Sequence, residues 1–472
     1  MSTSATAASE IPRTDPTAIA RTVATARRAF DSGRTQSVSW RRVQLQALMR
    51  MLSESADEIR AAVAADLGKA PVEAHLSEVG AIVAETKSAI KNLRRWTRDR
   101  PVGGSLTRIG PSRATIHREP LGTVLIIGPW NYPLHLLFMP FIGALAAGNS
   151  VVLKPSELAS HCSELVARLV PQYLDPEAFQ VVEGGVAETT ELLAERFDHI
   201  FYTGNGAVGS LVMQAAAKTL TPVTLELGGK SPVWVDNTAN IESAAASIAW
   251  GKFSNAGQTC VAPDYVLTTA DVAPKLAEAI AARITAMYGI DPSTSPDFGR
   301  IINARHTQRL AKLIDSGTVV AGGNVDVSQR YVDPTVLTDV TLDSPVMQQE
   351  IFGPILPIVT VAGLDEAIAV IRSNDKPLAL YAFTNSREAR EKIGARTSSG
   401  GLMFGGVMVH LGVSTLPFGG VGGSGMGAYH GQHSVRTFSH ERAILRKLPG
   451  PDLTRFAYPP FTAKKAKMLI GS

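Results

Sequence analysis

The middle of the chain alternates short apolar runs with amphipathic stretches, and this alternation predicts its fold. The apolar runs have the length of buried strands, and the stretches between them, such as 134–147 and 164–173, have helical periodicity. Short buried strands joined by crossover helices form a doubly wound parallel sheet, which binds its ligand at the carboxyl edge. The five predicted strands are 123–127, 150–153, 179–182, 199–202 and 222–225.

A second alternation of strands and helices begins at Ser231 and predicts a further α/β domain. We therefore place a first domain at 14–101 and 119–227 and a second domain at 228–412. In the second domain the predicted strands are 232–235, 265–268, 357–361 and 378–383, and the predicted helices are 241–252, 272–288, 307–316 and 364–373.

Polar alternation marks a third, non-contiguous element. Residues 102–118 have the pattern of a hairpin, and a late strand is predicted at 437–440 within the segment 434–445. Exposed strand edges of this kind favour pairing between copies of a chain. The two ends, 1–13 and 446–472, are predicted to be a disordered tail and a C-terminal tail.

The composition is that of an ordinary globular protein. Of the 472 residues, 45% are apolar and 19% are charged, and the net charge of +4 is spread along the chain rather than concentrated. Paired arginines such as Arg27 and Arg28 lie within helical patterns, where a solvated face explains them better than a nucleic acid does. The sequence therefore predicts no nucleic-acid partner, and it predicts no metal site.

No segment has the character of a membrane span. The longest apolar stretch, 121–153, is interrupted by three prolines and by polar residues, and 463–470 is too short and too charged to cross a bilayer. The opening 13 residues lack the apolar core of a signal peptide. The two cysteines need not pair, which favours a reducing compartment and predicts a cytoplasmic protein.

The two cysteines have contrasting surroundings. Cys162 falls within an amphipathic helical pattern, where a free thiol behaves as a small buried hydrophobic group. Cys260 is flanked by Gly257 and Pro263, residues that favour an irregular and accessible backbone. Cys260 is therefore the candidate nucleophile, although a loop thiol without function would also fit this segment taken alone.

Two further residues could complete a site around Cys260. Glu226 lies in a Gly-rich segment and offers a carboxylate that can act as a general base. The alternative for Glu226 is a strand-end charge paired with Lys230. Asn131 follows the first predicted strand and offers an amide that can donate to an oxyanion, and its alternative is a simple turn residue.

A glycine-rich turn is the candidate phosphate-binding site. Gly204, Gly206 and Gly209 follow a predicted strand and open a helix, as a dinucleotide phosphate site requires. We assign Gly204 and Gly209 to this site, whereas Gly206 could simply tighten the turn. Lys154 and Glu157 follow another strand at the same sheet edge, where they could also be a solvated lysine and a glutamate stabilised by a helix dipole.

Five motifs resemble signatures of the aldehyde dehydrogenase superfamily, and they occur along the chain in the same order as in that family. Two later segments, 417–427 and 458–460, resemble its class 3 branch, whose members oxidise medium-chain, fatty and aromatic aldehydes. The resemblance covers residues 20–465. The five motifs are 129–133, 154–157, 225–230, 253–263 and 350–354.

The resemblance implies a role for each catalytic candidate and for two cofactor candidates. Cys260 would attack the aldehyde, Asn131 would bind the oxyanion, and Glu226 would activate the water that hydrolyses the thioester. Lys154 and Glu157 would meet the adenosine ribose, where a carboxylate accepts from the 2′-hydroxyl and repels a 2′-phosphate. The implied cofactor is NAD, with NADP also open.

The resemblance extends to the other end of the cofactor and to the domains. Glu350 and Phe352 would hold the nicotinamide ribose and ring, and Trp130 would line the same cleft, although a tryptophan beside prolines often serves packing alone. The first domain would bind NAD and the second would carry the catalytic cysteine. The third element would be an oligomerisation bridge, and the protein would be a homodimer.

The main functional prediction is NAD(P)-dependent oxidation of an apolar aldehyde, aromatic or medium-chain aliphatic, to the carboxylic acid. Segment 402–415 favours an apolar substrate because it contains no Lys or Arg to bind a substrate carboxylate. A coenzyme A-acylating aldehyde dehydrogenase would use Cys260 identically, but such relatives lack the general base that Glu226 offers. A non-catalytic structural protein or an esterase is the second alternative.

Overall fold

The computed structural model describes residues 16–102, 112–450 and 453–470. The predicted tail 1–13 and residues 103–111 of the predicted hairpin lie outside this part of the chain. Within it, no helix is both long enough and apolar enough to cross a membrane.

The α-helices are numbered along the chain. They are α1 Pro16–Asp31, α2 Val38–Glu54, α3 Ala56–Leu67, α4 Pro71–Ala74, α5 Ala81–Thr97, α6 His135–Ala147, α7 Ser160–Tyr173, α8 Val186–Ala194, α9 Gly206–Ala217, α10 Ile241–Phe253, α11 Ala273–Tyr288, α12 Ala304–Ala311, α13 Pro345–Gln348, α14 Leu364–Ser373, α15 Arg387–Arg396, α16 Gly431–Thr437 and α17 Ala463–Ile470.

The strands are numbered in the same way. They are β1 Arg100–Val102, β2 Ser112–Pro120, β3 Thr123–Ile127, β4 Ser150–Lys154, β5 Phe179–Val181, β6 His199–Thr203, β7 Val223–Glu226, β8 Pro232–Val235, β9 Tyr265–Thr268, β10 Thr318–Ala321, β11 Val325–Asp326, β12 Tyr331–Val332, β13 Thr335–Thr338, β14 Ile355–Thr360, β15 Ala379–Phe383, β16 Gly401–Phe404, β17 Gly425–Met426 and β18 Ser439–Lys447.

The first large sheet has the order β17-β7-β6-β3-β4-β5. Strands β3 to β7 pair in parallel, and β17 pairs antiparallel to β7. In β3, Val124 and Ile126 pack on the face covered by α6, whereas Leu125 and Ile127 pack on the face covered by α1. Helices on both faces explain why this strand is apolar at successive positions, as a doubly wound sheet requires. The predicted parallel sheet is confirmed, with each strand end within one residue.

The direction of chain crossover changes between β3 and β6. From β3 the chain moves outward to β4 and β5, and it then returns to the other side of β3 for β6 and β7. Loops from the carboxyl ends of β3 and β6 therefore diverge and leave a crevice between them. In open α/β sheets this switch point is where ligands bind.

The second large sheet has the order β10-β13-β14-β9-β8-β15-β16. Its strands are parallel except for β10, and β14 and β8 flank β9. The predicted helix 307–316 is wrong in extent. The Asn303 side chain accepts from the His306 backbone N–H at 3.0 Å, which starts α12 earlier, and a short 3₁₀ turn at Ile314–Ser316 follows the helix.

A small antiparallel sheet with the order β1-β2-β18 stands apart from the two large ones. The predicted strand 437–440 is wrong at both ends. Helix α16 continues to Thr437, and the Phe438 N–H closes it by donating to the Ser434 carbonyl. Strand β18 then pairs with β2 from Ser439 to Lys447 without interruption. Each further residue pair gives backbone N–H and C=O groups of the two strands hydrogen-bond partners.

Candidate active site

A cavity of about 1100 Å³ opens at the carboxyl edge of the first sheet and reaches the second α/β unit. Nine of the ten candidate residues line it, and Gly209 does not. The nine are Trp130, Asn131, Lys154, Glu157, Gly204, Glu226, Cys260, Glu350 and Phe352.

The cysteine at the base of this cavity follows a strained turn. After α10, the backbone is left-handed at three successive residues, Asn255 (φ 51°), Ala256 (φ 49°) and Gly257 (φ 73°). A Cβ on Gly257 would collide with the backbone carbonyl of Gly353, so only glycine fits there. The turn leaves Cys260 half-buried on the cavity wall, whereas Cys162 is buried within α7, as its helical pattern predicts.

The surroundings of Cys260 favour the protonated thiol. Burial raises the pKa of this thiol, and the carboxyls of Glu350 and Glu226 raise it further. The backbone N–H groups of Cys260 and Val261 act in the opposite direction by donating to sulfur. Formation of the thiolate therefore needs a proton acceptor when substrate is present.

Glu226 is the last residue of β7 and is buried. Neither of its carboxylate oxygens has a hydrogen-bond partner in the described part of the chain, and burial raises its pKa well above the ordinary value. The proposed pairing with Lys230 is wrong, because Lys230 Nζ contacts Asp264 Oδ2 at 2.6 Å instead. A buried, unpaired carboxyl that faces a cavity can exchange a proton with a water molecule there.

Asn131 lies in the turn between β3 and α6, and both its side-chain amide and its backbone carbonyl form hydrogen bonds. Its amide Nδ2 donates to the Gln258 carbonyl at 2.9 Å, which leaves one amide hydrogen available. Its backbone carbonyl accepts from Lys69 Nζ at 3.0 Å and from Asn255 Nδ2 at 2.9 Å. Asn131 is thus more than a simple turn residue, since it joins the turn to the cysteine loop.

The cavity end near β4 is polar and charged. Lys154 is buried, and its Nζ donates to the Pro155 carbonyl at 2.8 Å and to Glu157 Oε2 at 3.3 Å. Burial lowers the pKa of Lys154, and Glu157 opposes this shift. The Glu157 side chain keeps 29% of its surface exposed, so its carboxylate can meet a ligand.

The three glycines before and within α9 differ in what they allow. A Cβ on Gly204 would overlap the Tyr202 hydroxyl, and a Cβ on Gly209 would come within 2.9 Å of Leu227, so Gly209 permits close packing of α9 on the sheet. Gly206 is the first residue of α9 and has open space around it. The suggestion that Gly206 tightens the turn is therefore wrong. Asn205 caps the helix instead, by accepting from the Val208 N–H at 3.0 Å.

The opposite end of the cavity has an aromatic wall and a carboxyl. The Trp130 and Phe352 rings meet edge to face at 5.3 Å, and Phe352 has a left-handed backbone (φ 47°). Glu350 packs its carboxyl against Gly228, and no described residue bonds its Oε1. Burial, followed by the charge of Asp264, raises the pKa of Glu350 to about 8.

Several residues at the site were not predicted. The buried Thr203 hydroxyl lines the cavity without a hydrogen-bond partner among the described residues, and His306 and Arg309 of α12 line it as well. Thr203 had a usable signal, because it lies between the predicted strand 199–202 and Gly204. His306 and Arg309 had none, since nothing in their local pattern places α12 beside the first sheet.

The lining fits a dinucleotide. One end offers Lys154 and the half-exposed Glu157 beside the amino terminus of α9, where backbone N–H groups favour phosphate. The other end offers the Thr203 hydroxyl and Glu350 Oε1, which have no hydrogen-bond partner among the described residues, beside the aromatic wall. A dinucleotide has two riboses joined by a pyrophosphate. Each polar end of the cavity would bind one ribose, and the amino terminus of α9 would bind the pyrophosphate.

The comparisons with known proteins agree with this geometry. The sequence model of the aldehyde dehydrogenase family matches residues 2–444. The dimeric NADP-preferring aldehyde dehydrogenase of Rattus norvegicus is 52% identical over 447 residues, covering 94% of this chain and 98% of that protein. Aldehyde dehydrogenase family 3 member B1 of Homo sapiens is 50% identical over 445 residues, covering 94% and 95%.

A solved structure gives the same result. The substrate-bound state of Staphylococcus aureus AldH superposes with a TM-score of 0.92 at 43% identity, covering 95% of this chain and 98% of that one. The chain therefore belongs to the aldehyde dehydrogenase family, whose members are oxidoreductases that oxidise aldehydes with NAD or NADP. The resemblance to the class 3 branch is confirmed by the family 3 relatives.

Proposed function

We propose that this protein oxidises an uncharged apolar aldehyde, aromatic or medium-chain aliphatic, to the carboxylic acid through a thioester on Cys260. The observation that carries the proposal is the convergence of Cys260, Glu226 and Asn131 on one cavity with the cofactor candidates. A nucleophile, a base and an oxyanion donor are the groups that the two half-reactions need.

In the first half-reaction, Cys260 Sγ bonds to the carbonyl carbon and its proton passes to a base in the site. The aldehyde oxygen becomes an oxyanion, which accepts the remaining Asn131 amide hydrogen and the Cys260 backbone N–H. The bound nicotinamide supplies the hydride acceptor. The Trp130 and Phe352 rings form the cavity wall at this end of the site.

In the second half-reaction, Glu226 removes a proton from water as the water oxygen attacks the thioester carbon. The carbon–sulfur bond breaks, the acid leaves, and Cys260 recovers its thiol. The missing hydrogen-bond partners of the Glu226 carboxyl leave both oxygens free to bind that water. A coenzyme A-acylating enzyme would not need this base, so the buried Glu226 favours hydrolysis.

The apolar substrate is supported by the segment that follows β15. The Tyr381 hydroxyl donates to the Val261 carbonyl at 2.6 Å, and Tyr381 pairs with Met403 of β16, which brings this segment close to the cysteine loop. His410 is the ionisable residue of 402–415, and burial lowers its pKa. A substrate carboxylate would therefore meet no fixed cation in this segment.

An NADH-absorbance assay with a panel of aldehydes tests the proposal. We expect benzaldehyde and hexanal to give a higher kcat/KM than succinate semialdehyde, and we expect coenzyme A to leave the rate unchanged. A preference for succinate semialdehyde would refute the apolar substrate. A requirement for coenzyme A would refute hydrolysis by Glu226.

Glu157 is expected to favour NAD over NADP, because its carboxylate repels a 2′-phosphate. Lys154, at 3.3 Å, offsets part of this charge, and the rat relative is named NADP-preferring. Glu157→Gln should raise the ratio of kcat/KM for NADP to that for NAD by about tenfold, or 1.4 kcal/mol. The exposed Glu164→Gln of α7 is the matched control and should leave the ratio unchanged. Equal efficiencies with both cofactors in the unmodified enzyme would contradict the assignment.

We also propose that the protein is a homodimer, as its rat relative is named. Strand β18 is an edge of the small sheet, and its exposed Ile444 (41%) and Leu445 (58%) lie on a strand whose outer edge pairs with no other described strand. Light scattering at micromolar concentration should give twice the 50.1 kDa chain mass. A measured mass equal to that of one chain would exclude β18 as a dimer interface.

The domain roles and the location of the protein are part of the same proposal. The six-stranded sheet would carry the cofactor, the seven-stranded sheet would carry Cys260, and the small sheet would form the bridge between protomers. Both cysteines are unpaired, in keeping with a cytoplasmic location. Recovery of the protein outside the cytoplasmic fraction of fractionated cells would argue against that location.

A further inference from the structure

A buried ion pair lies behind the turn that carries Asn131. Lys69 Nζ and Glu78 Oε1 are 2.8 Å apart, and both side chains are completely inaccessible to solvent. A buried ion pair of this kind seldom stabilises a fold more than a well-packed apolar pair would, because both charges lose their hydration. Stability alone therefore does not explain its presence beside the cavity.

The two members of the pair hold opposite ends of one turn. Lys69 Nζ donates to the Asn131 backbone carbonyl at 3.0 Å and lies 3.9 Å from the centre of the Tyr132 ring. Glu78 Oε2 accepts from the backbone N–H groups of Leu134 and His135 at 3.1 and 2.9 Å, at the start of α6. The ion pair thus fixes the turn before and after Tyr132.

The same turn is bonded to the cysteine loop. Asn131 Nδ2 donates to the Gln258 carbonyl, and Asn255 Nδ2 donates to the carbonyls of both Asn131 and Gln258. The Tyr132 hydroxyl and Thr259 Oγ1 lie 2.7 Å apart, one residue before Cys260. A displacement of the turn would therefore change where the free amide hydrogen of Asn131 points relative to the sulfur.

We propose that Lys69 and Glu78 are positioning residues that aim the Asn131 amide at the oxyanion formed on Cys260. This inference rests on the role proposed above for Asn131. An apolar pair could fill the same space, but it would leave the Asn131 carbonyl with one donor fewer and the start of α6 without its acceptor. An ammonium group opposite a carboxylate provides these donors and acceptors where both side chains are inaccessible to solvent.

The test removes the charges without leaving one of them unpaired. Lys69→Met/Glu78→Gln replaces the pair with neutral side chains of similar size, and Asn131→Ala removes the oxyanion donor. The single-turnover rate of NADH formation is measured for the parent, the double variant, Asn131→Ala and the triple variant. Asn131→Ala should lower this rate by about 10² to 10³, as expected for loss of one oxyanion donor.

The double variant should lower the same rate roughly 10- to 100-fold, because a small misplacement of a catalytic group has an effect of this size. In the Asn131→Ala background, Lys69→Met/Glu78→Gln should lower the single-turnover rate by less than about twofold, since the effects of residues that act through one another are not additive. The KM for aldehyde and the rate of Cys260 alkylation by iodoacetamide should match the parent. Val63→Ala, in the core of α3, controls for lost stability and should leave the single-turnover rate unchanged.

The outcomes separate the two claims. Additive losses in the triple variant, or a double variant with parental rates, would overturn the positioning role and leave the role of Asn131 intact. A parental rate for Asn131→Ala would overturn both. If the double variant does not fold, Lys69→Gln/Glu78→Gln takes its place in the same cycle, because it also leaves no unpaired charge and keeps an amide donor at position 69.

Discussion

Replacing Cys260 with alanine is expected to abolish aldehyde oxidation while the fold and cofactor binding persist. The sulfur is the atom proposed to bond to the aldehyde carbon, and no other described residue presents a thiol to the cavity. The side chain is half-buried, so its loss should change stability little. NADH formation measures the loss, and quenching of tryptophan fluorescence by NAD measures retained binding.

Cys162→Ala is the matched control for this experiment. It removes the other thiol, which lies in the core of α7 away from the cavity, and it should reduce stability modestly without changing turnover. Substantial oxidation by Cys260→Ala, or loss of turnover in Cys162→Ala alone, would show that the nucleophile is assigned to the wrong cysteine.

Glu226→Gln is expected to slow release of the acid far more than formation of the thioester. The amide keeps the size of the side chain but cannot take a proton from water, and a general base typically contributes 10² to 10⁴ in rate. A stopped-flow NADH trace should therefore show a burst close to one equivalent per site, followed by a slow steady state. Loss of the burst as well would mean that Glu226 deprotonates Cys260 instead.

The pH dependence of the steady state gives a second readout. Burial raises the pKa of Glu226, so the base form becomes populated, and hydrolysis becomes faster, as pH rises towards that raised pKa. The Glu226→Gln variant should not show this increase in hydrolysis rate with pH. Glu85→Gln is the matched control, because burial also raises the pKa of Glu85, yet its Oε1 accepts from the Gly431 N–H outside the cavity.

Much of the fold follows from local sequence. Strands β3, β8 and β9 have the predicted bounds because each is a run of apolar residues closed by polar or turn-forming ones. Nine of the ten candidate residues meet at one cavity. Several of them follow parallel strands, whose carboxyl ends lie at one edge of the sheet. Their roles stay predictions until the variants are made.

Other features depend on contacts that are distant in sequence. Lys69 lies in the connection between α3 and α4, and Glu78 lies in the helical segment His75–Gly80. Neither has an unusual local pattern, and their importance emerges only when the fold places them behind Asn131. Four of the nine residues of strand β18 are charged, and its pairing with β2 rather than its composition sets its extent. Gly209 fits a cofactor motif but serves helix packing, because a motif does not specify which side of the helix faces the ligand.

The left-handed turn before the cysteine limits how this enzyme can be engineered for heat resistance. A left-handed residue other than glycine costs of order 1–3 kcal/mol, and Asn255 and Ala256 both carry this strain. A domain has a net stability of only about 5–15 kcal/mol, so relieving this strain with a glycine at either position would add a sizeable fraction to the free energy of unfolding. The same change would loosen the loop that holds Cys260 in place. Stabilising substitutions therefore belong on the outer helices, far from this strained turn beside the cysteine loop.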